Sequence, residues 1–133
     1  MDRVSIYAPI VKRDAVKRIA YAVVLEPDTE DLQQDVVSAE TIELAAHGFM
    51  KDFRLVNEMH ASLDKVAVPV ESYLAPIDFT VTAPDGTERV IKKGSWVLAS
   101  EFNEEVWKRI ESGEYTGYSI EGVGRRYELG EEA

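Results

Sequence analysis

His47 and His60 are the only histidines in the sequence, so proton transfer near neutral pH has few candidate groups. There is no cysteine, which excludes a thiolate nucleophile, a disulfide framework and a Cys-based zinc site. A serine hydroxyl becomes a nucleophile when a base takes its proton, and neutral imidazole is such a base. Most of the eight serines have ordinary settings. Ser38 reads as a helix cap, Ser112 as helix-end chemistry beside Gly113, and Ser72 as a strand residue sharing a face with Val68 and Val70. Ser119 stands apart, in Gly117-Tyr118-Ser119-Ile120-Glu121-Gly122-Val123-Gly124. On a strand, Tyr118 and Ile120 take one face while Ser119 and Glu121 take the other. The three glycines permit close backbone approach by a substrate or an oxyanion. The plainer alternative is a strand thinned for packing, with Ser119 a bystander.

His60 ends a strand-like run from Phe53 and precedes the small Ala61-Ser62. From there a ring can project into a cleft without being buried, and the plainer alternative is a structural or merely exposed histidine. His47 lies about 140° round a helix from Ile42, at ~100° per residue, which puts it on the polar face as a solvated histidine. A Ser–His pair ordinarily uses a third group to orient the imidazole. Glu58, Asp64, Glu71, Glu121 and Glu128 all qualify, and spacing does not choose among them. Metal chemistry is the weaker option. Glu58 and His60 could share one side of a strand, but no partner set follows at ligand spacing. The acidic loop 26–35 lacks the glycine and terminal glutamate of a calcium loop. Neither a metal nor a cofactor is expected.

The elements that must position these residues follow from periodicity and punctuation. Residues 1–15 show no clear period. Residues 19–25, Ile-Ala-Tyr-Ala-Val-Val-Leu, predict a buried strand ended by the acidic loop after Pro27. Ser38 caps a helix over 39–51, with Ile42, Ala45, Ala46 and Phe49 as its apolar stripe and Gly48 a weak point near its end. Val66, Val68, Val70 and Leu74 alternate as in a half-buried strand, where Pro69 argues for an edge or a bulge. Asp85-Gly86 between 79–82 and 88–91 predicts a hairpin. A buried strand at 96–99 precedes a second helix over 104–112, capped by Asn103, striped by Val106, Trp107 and Ile110 and stopped by Gly113. A Gly-rich strand over 117–127 closes the chain. Two helices among about six strands disfavour a βαβ alternation. The expected fold is α+β, a mostly antiparallel β-barrel or bent sheet with helices packed outside.

The 133 residues, 45% hydrophobic and 30% charged, fit one domain over 1–133. Fifteen Lys and Arg against 25 Asp and Glu leave a net charge of −10, which argues against a phosphate-tracking nucleic-acid binder. No apolar run approaches the ~20 residues that cross a bilayer, and no signal peptide is seen, so a soluble, acidic, cytoplasmic protein is expected.

Several segments taken in order resemble the XkdF-like phage serine proteases. They are Tyr21-Ala22-Val23-Val24-Leu25-Glu26-Pro27-Asp28, Gln34-Asp35-Val36-Val37-Ser38-Ala39-Glu40, Asn57-Glu58-Met59-His60, Val70-Glu71-Ser72-Tyr73-Leu74-Ala75-Pro76, Lys92-Lys93-Gly94-Ser95-Trp96-Val97 and Gly113-Glu114-Tyr115-Thr116-Gly117-Tyr118-Ser119-Ile120. The resemblance covers residues 20–122. It implies a prohead maturation protease related in fold to herpesvirus assemblin, a β-barrel surrounded by helices. Such an enzyme cleaves scaffold and major capsid proteins inside the immature capsid, in the bacterial host cytoplasm. Carried over by motif, Ser119 is the nucleophile and His60 the general base. The family pattern also implies a further strand, Glu-Val-Ser-Leu-Val followed by Pro-Ala-Asn, which this sequence lacks. The third catalytic member is expected in that part. A second reading follows from the difference: a catalytically inert member of the same fold, serving as a structural or scaffold-binding component of capsid assembly. Homo-oligomers fit either reading.

Overall fold

The computed structural model describes residues 5–29, 36–59 and 67–121. Their elements are β1 (Ser5–Asp14), β2 (Ile19–Leu25), α1 (Ala39–Met59), β3 (Ala67–Leu74), β4 (Phe79–Thr82), β5 (Glu88–Ile91), β6 (Trp96–Phe102), α2 (Glu104–Glu111) and β7 (Gly117–Glu121). Five strands form one sheet in the order β3-β6-β2-β1-β7, and β4 pairs with β5 in a separate hairpin. All of these pairings are antiparallel. The protein is α+β with two helices, as the sequence predicts. A closed barrel is not formed among the described residues: β3 and β7 stand at opposite ends of an open sheet. The β4–β5 hairpin does not extend the sheet but lies against one of its faces, through Phe79, Val81 and Ile91.

The sheet therefore has two apolar faces. Ala8, Ala22, Leu98, Phe102 and Tyr118 pack with Ile42 and Ala46 of α1 and Trp107 and Ile110 of α2. On the other face Val11 and Val97 pack with Ala75 and the hairpin's Ile91. Each large side chain fully buried in this way contributes about 1.5–3 kcal/mol. With helices on one side and the hairpin on the other, β6 is apolar over nearly its whole length, and only Glu101 of its seven residues is exposed.

The sequence reading holds closely for β2, for the hairpin and for α2. Gly86 takes φ +90° at the hairpin tip, the left-handed conformation that a glycine adopts without strain. Asn103 caps α2 by accepting the Val106 amide at 2.8 Å. Ser38 caps α1 by accepting the Thr41 amide at 3.2 Å. Three expectations are corrected. First, α1 continues to Met59 rather than ending at 51, so residues 53–59 are helical and not a strand. The spacing of Ile42, Ala46 and Phe49 recurs at Phe53 and Val56, and a continuous apolar stripe outweighs the cost of about 1 kcal/mol for Gly48 in mid-helix. Ala45, placed on that stripe, is exposed.

Second, residues 5–14, which show no period, form the ten-residue strand β1. Its register shifts between Ile10 and Lys12, a bulge that breaks the two-residue alternation. Before the bulge Ala8 and Ile10 face the helices; after it Arg13 does, while Lys12 lies over the Tyr21 ring at 4.9 Å on the hairpin side. Third, β3 does not bury its valines. It is an end strand of the sheet, and its register shifts between Pro69 and Glu71. Val68 and Val70 remain 45% and 44% exposed, while Ala67 is buried. The shift also separates Ser72 from their face and turns it inward, where it accepts a hydrogen bond from Trp96 Nε1 at 3.0 Å. Trp96 in turn stacks obliquely on Phe49 of α1, ring centroids 5.4 Å apart.

Candidate active site

Ser119 lies in β7, where its backbone is paired with Tyr7 of β1. The path that delivers it there is tightly wound. Gly113 follows α2 at φ +89°, the Tyr115 amide donates to Arg109 O at 3.0 Å, and the Ile10 amide donates to Thr116 O at 2.9 Å. Strand alternation then sets position 118 toward the core and positions 117 and 119 on the opposite face.

Tyr118 anchors that alternation. It is fully buried and meets Phe102 edge-on at 5.2 Å. Its hydroxyl donates to Leu98 O at 3.1 Å, with Ala20 O at 3.4 Å as a second acceptor. Burial pushes the Tyr118 phenol well above its ordinary value, with the neighbouring Ser100 hydroxyl acting weakly in the other direction. The linkage sign follows. Above about pH 10 the unfolded chain loses this proton and the folded chain keeps it, so stability falls as pH rises, by about 1.4 kcal/mol per pH unit for one proton. Tyr21 and Tyr73 are also raised, chiefly by burial and next by Glu71, and add to the loss. Urea midpoints from pH 9 to 11.5 should show the decline, and Tyr118→Phe should flatten it in part; an unchanged slope in that variant would show that Tyr118 is not the anchor described.

Gly117 is fitted as closely as Tyr118. A Cβ there would stand 2.6 Å from Ala8 O and 2.6 Å from both Cζ and Oη of Tyr7. The Tyr7 ring thus lies over the backbone of β7, held by a 2.8 Å hydrogen bond between its hydroxyl and Thr116 Oγ1. Tyr7 and Thr116 belong to the rim of a groove of about 220 Å3, bounded by β1, the hairpin tip at Ala83 to Asp85, and the loop from α2 to β7. Arg13 and Arg89 also line it. Arg13 Nη1 donates to Ile110 O at 3.0 Å and Glu111 O at 3.2 Å, so the guanidinium sits at the C-terminal end of α2, where a cation is favoured.

His60 falls outside the described residues, as do Asp64 and Glu128. The residue before it, Met59, is the last of α1, so the approach to His60 is a helix end rather than a strand. Glu58 is on that helix as well, which removes the strand face it was expected to share with His60 as a metal pair. His47 is exposed on α1, as expected. Glu121 ends β7, opposite Ser5. Glu71 is not brought near Ser119: it lies on β3, four strand positions from β7, or roughly 19 Å at ~4.8 Å per strand. There its carboxylate accepts from the Tyr21 hydroxyl at 3.5 Å. The groove escaped the sequence reading because its walls come from three distant segments, and no local pattern joins Tyr7 to Arg89 or Thr116.

The sequence profile of the family described as "Putative phage serine protease XkdF" matches residues 7–128. The chain belongs to this family. The match takes in α1, the hairpin, α2 and the serine strand, and so bears out the resemblance carried by the segments around His60 and Ser119. Two relatives come from Bacillus subtilis (strain 168). The chain is 43% identical over 119 residues to "Uncharacterized protein YqbD", covering 90% of this chain and 35% of the relative. It is 43% identical over 112 residues to "Phage-like element PBSX protein XkdF", covering 84% of this chain and 39% of the relative. The chain thus spans well under half the length of these relatives. No solved structure matches it. No helix among the described residues is long and apolar enough to cross a membrane.

Proposed function

We propose that this chain is the peptidase part of a serine endopeptidase that cleaves scaffold and major capsid proteins during maturation of a phage prohead, inside the immature capsid in the bacterial cytoplasm. The observation that carries the reading is the family match over residues 7–128, which spans both His60 and Ser119. The placement of Ser119 supports it: the residue lies on an end strand, paired with Tyr7 and two positions from Gly117 and the groove. The kinship to assemblin belongs to the same proposal, and an assemblin-like barrel requires β3 and β7, the two ends of the sheet, to be joined.

In this mechanism His60 takes the Ser119 proton as Oγ attacks the scissile carbonyl carbon. The imidazolium then gives that proton to the departing amine, leaving an acyl-enzyme. Water, deprotonated by the same imidazole, attacks the ester, and the proton returns to Ser119 as the new carboxyl terminus leaves. The group that orients His60 is one of Glu58, Asp64, Glu121 and Glu128, or Glu71 if β3 and β7 are joined as the barrel requires. A fluorophosphonate probe tests the nucleophile. Wild type should label at one residue, and Ser119→Ala should not label. A folded wild type that never labels would favour the inert structural or scaffold-binding member of the same fold.

A further inference from the structure

We infer that the groove between β1, the hairpin tip and the α2–β7 loop is a substrate subsite that selects a carboxylate-bearing side chain, glutamate before aspartate, in an extended peptide. The inference rests on the protease reading only in placing the reacting bond at position 119; the binding itself stands on the groove. Location is the first support. Tyr7 lines the groove and its backbone is paired with Ser119. Gly117 lies two residues, or about 7 Å, from Ser119 on the same strand face. A peptide whose bond sits at position 119 therefore reaches the groove with a side chain one or two residues away.

Charge is the second support. The chain as a whole carries −10, yet the groove gathers Arg13 and Arg89 against the single carboxylate of Asp85. That carboxylate is engaged in its own turn: Asp85 Oδ1 accepts from the Thr87 hydroxyl at 2.6 Å and from the Thr87 amide at 3.0 Å. Arg13 is held in place by main-chain carbonyls, and Arg89 hydrogen-bonds Thr87 Oγ1 at 3.4 Å while its charge adds a lesser pull to the Thr87 hydrogen bonds that hold the Asp85 carboxylate below its ordinary value. Neither guanidinium has an ion-pair partner within salt-bridge distance among the described residues. Guanidinium groups recognise carboxylates through charge-assisted hydrogen bonds that a neutral amide makes more weakly.

Size and lining are the third. At about 220 Å3 the groove has room for one long side chain and too little for a folded partner. Pro9 and Tyr115 offer apolar walls for a methylene stem, while the arginines and the Thr116 hydroxyl offer polar ends. A stem of two methylenes uses such walls better than one.

The test uses fluorescein-labelled alanine octapeptides carrying a single glutamate, glutamine or lysine at a scanned position. Binding to full-length Ser119→Ala is measured by anisotropy, so that no turnover interferes. The glutamate peptide should bind at least about fivefold tighter than its glutamine twin, with lysine weakest. Arg89→Glu should invert that order, and Arg89→Lys should keep it with weaker discrimination; circular dichroism verifies the fold of each. Equal binding of the three peptides, no binding of any, or an order indifferent to Arg89→Glu would overturn the inference. The same peptides incubated with wild type and read by mass spectrometry separate the two readings. Ordered binding without cleavage sustains the subsite and counts against the protease. Cleavage with no preference for glutamate does the reverse.

Discussion

Ser119→Ala and His60→Ala should each remove nearly all cleavage of a capsid or scaffold peptide, a loss of about a millionfold in kcat where the pair acts as one unit. The double variant should be hardly worse than either single one, because removing the base leaves the serine without activation and removing the serine leaves the base without a task. Wild-type activity should rise with pH through roughly 6–8 as the imidazole becomes neutral and able to accept a proton. Chelators should have no effect on a mechanism that routes no step through a metal. The measurement is hydrolysis by wild type and the three variants across that pH range, with and without EDTA. Full activity in His60→Ala, or loss of activity with EDTA, would overturn the mechanism.

The largest effect on stability should come from Phe102→Ala. Phe102 is 1% exposed and meets the Tyr118 ring edge-on at 5.2 Å, with α2 beginning two residues later. Removing a buried aromatic ring costs about 3–5 kcal/mol, a large share of the roughly 5–15 kcal/mol that holds a domain folded. The urea midpoint should fall accordingly with little change in slope, and Phe102→Leu should lie between the two. Because Tyr118 precedes Ser119, any labelling or cleavage by Ser119 should be lost as β7 loosens, at urea concentrations where wild type still reacts. A midpoint shift worth less than about 1 kcal/mol would show that this ring does not anchor the strand.

What could be read from the residues in advance depends on how regular the local pattern is. β2, with alternation unbroken from Ile19 to Leu25, was legible to the residue, and Asp85-Gly86 marked its hairpin because a left-handed turn calls for glycine. The two strands misread carry bulges within their length, whereas the register shift of β2 falls at its end, between Val23 and Leu25. In β1 the extra residue hides the period altogether; in β3 it leaves a period of the opposite phase, so valines assigned to the interior lie at the surface. The far half of α1 was misread for another reason. Gly48 and the β-rich Phe53-Arg54-Leu55-Val56 invite a break, whereas the longer spacing from Ile42 to Val56 is helical. The place of residue 119 on a strand, in alternation with the buried Tyr118, was legible from the local pattern. The groove was not, since it exists only once β1, the hairpin and the α2–β7 loop have assembled.

The bulge in β1 also constrains how this strand can change length in evolution. Tyr7 and Arg13 are six positions apart yet lie on opposite faces of the strand, with Arg13 reaching the end of α2, because one residue too many lies between them. Deleting Val11 would remove the bulge and change no facing, since Ile10 already pairs with Ala22 and Lys12 with the adjacent Tyr21. Deleting a residue of the regular stretch before it, such as Pro9, would reverse the facing of everything earlier: the Tyr7 ring would be driven toward the site that Ala8 fills with no exposed surface, and Ala8 would be left to line the groove. A gap of one residue in that stretch is thus more disruptive than most substitutions. The hairpin tip around Pro84 to Thr87, by contrast, is exposed and bonded mainly within its own turn, so it can lengthen or shorten without moving any other strand. Among homologues, variation in groove size should therefore arise by gain and loss of residues at the tip, while the stretch of β1 before the bulge keeps its count.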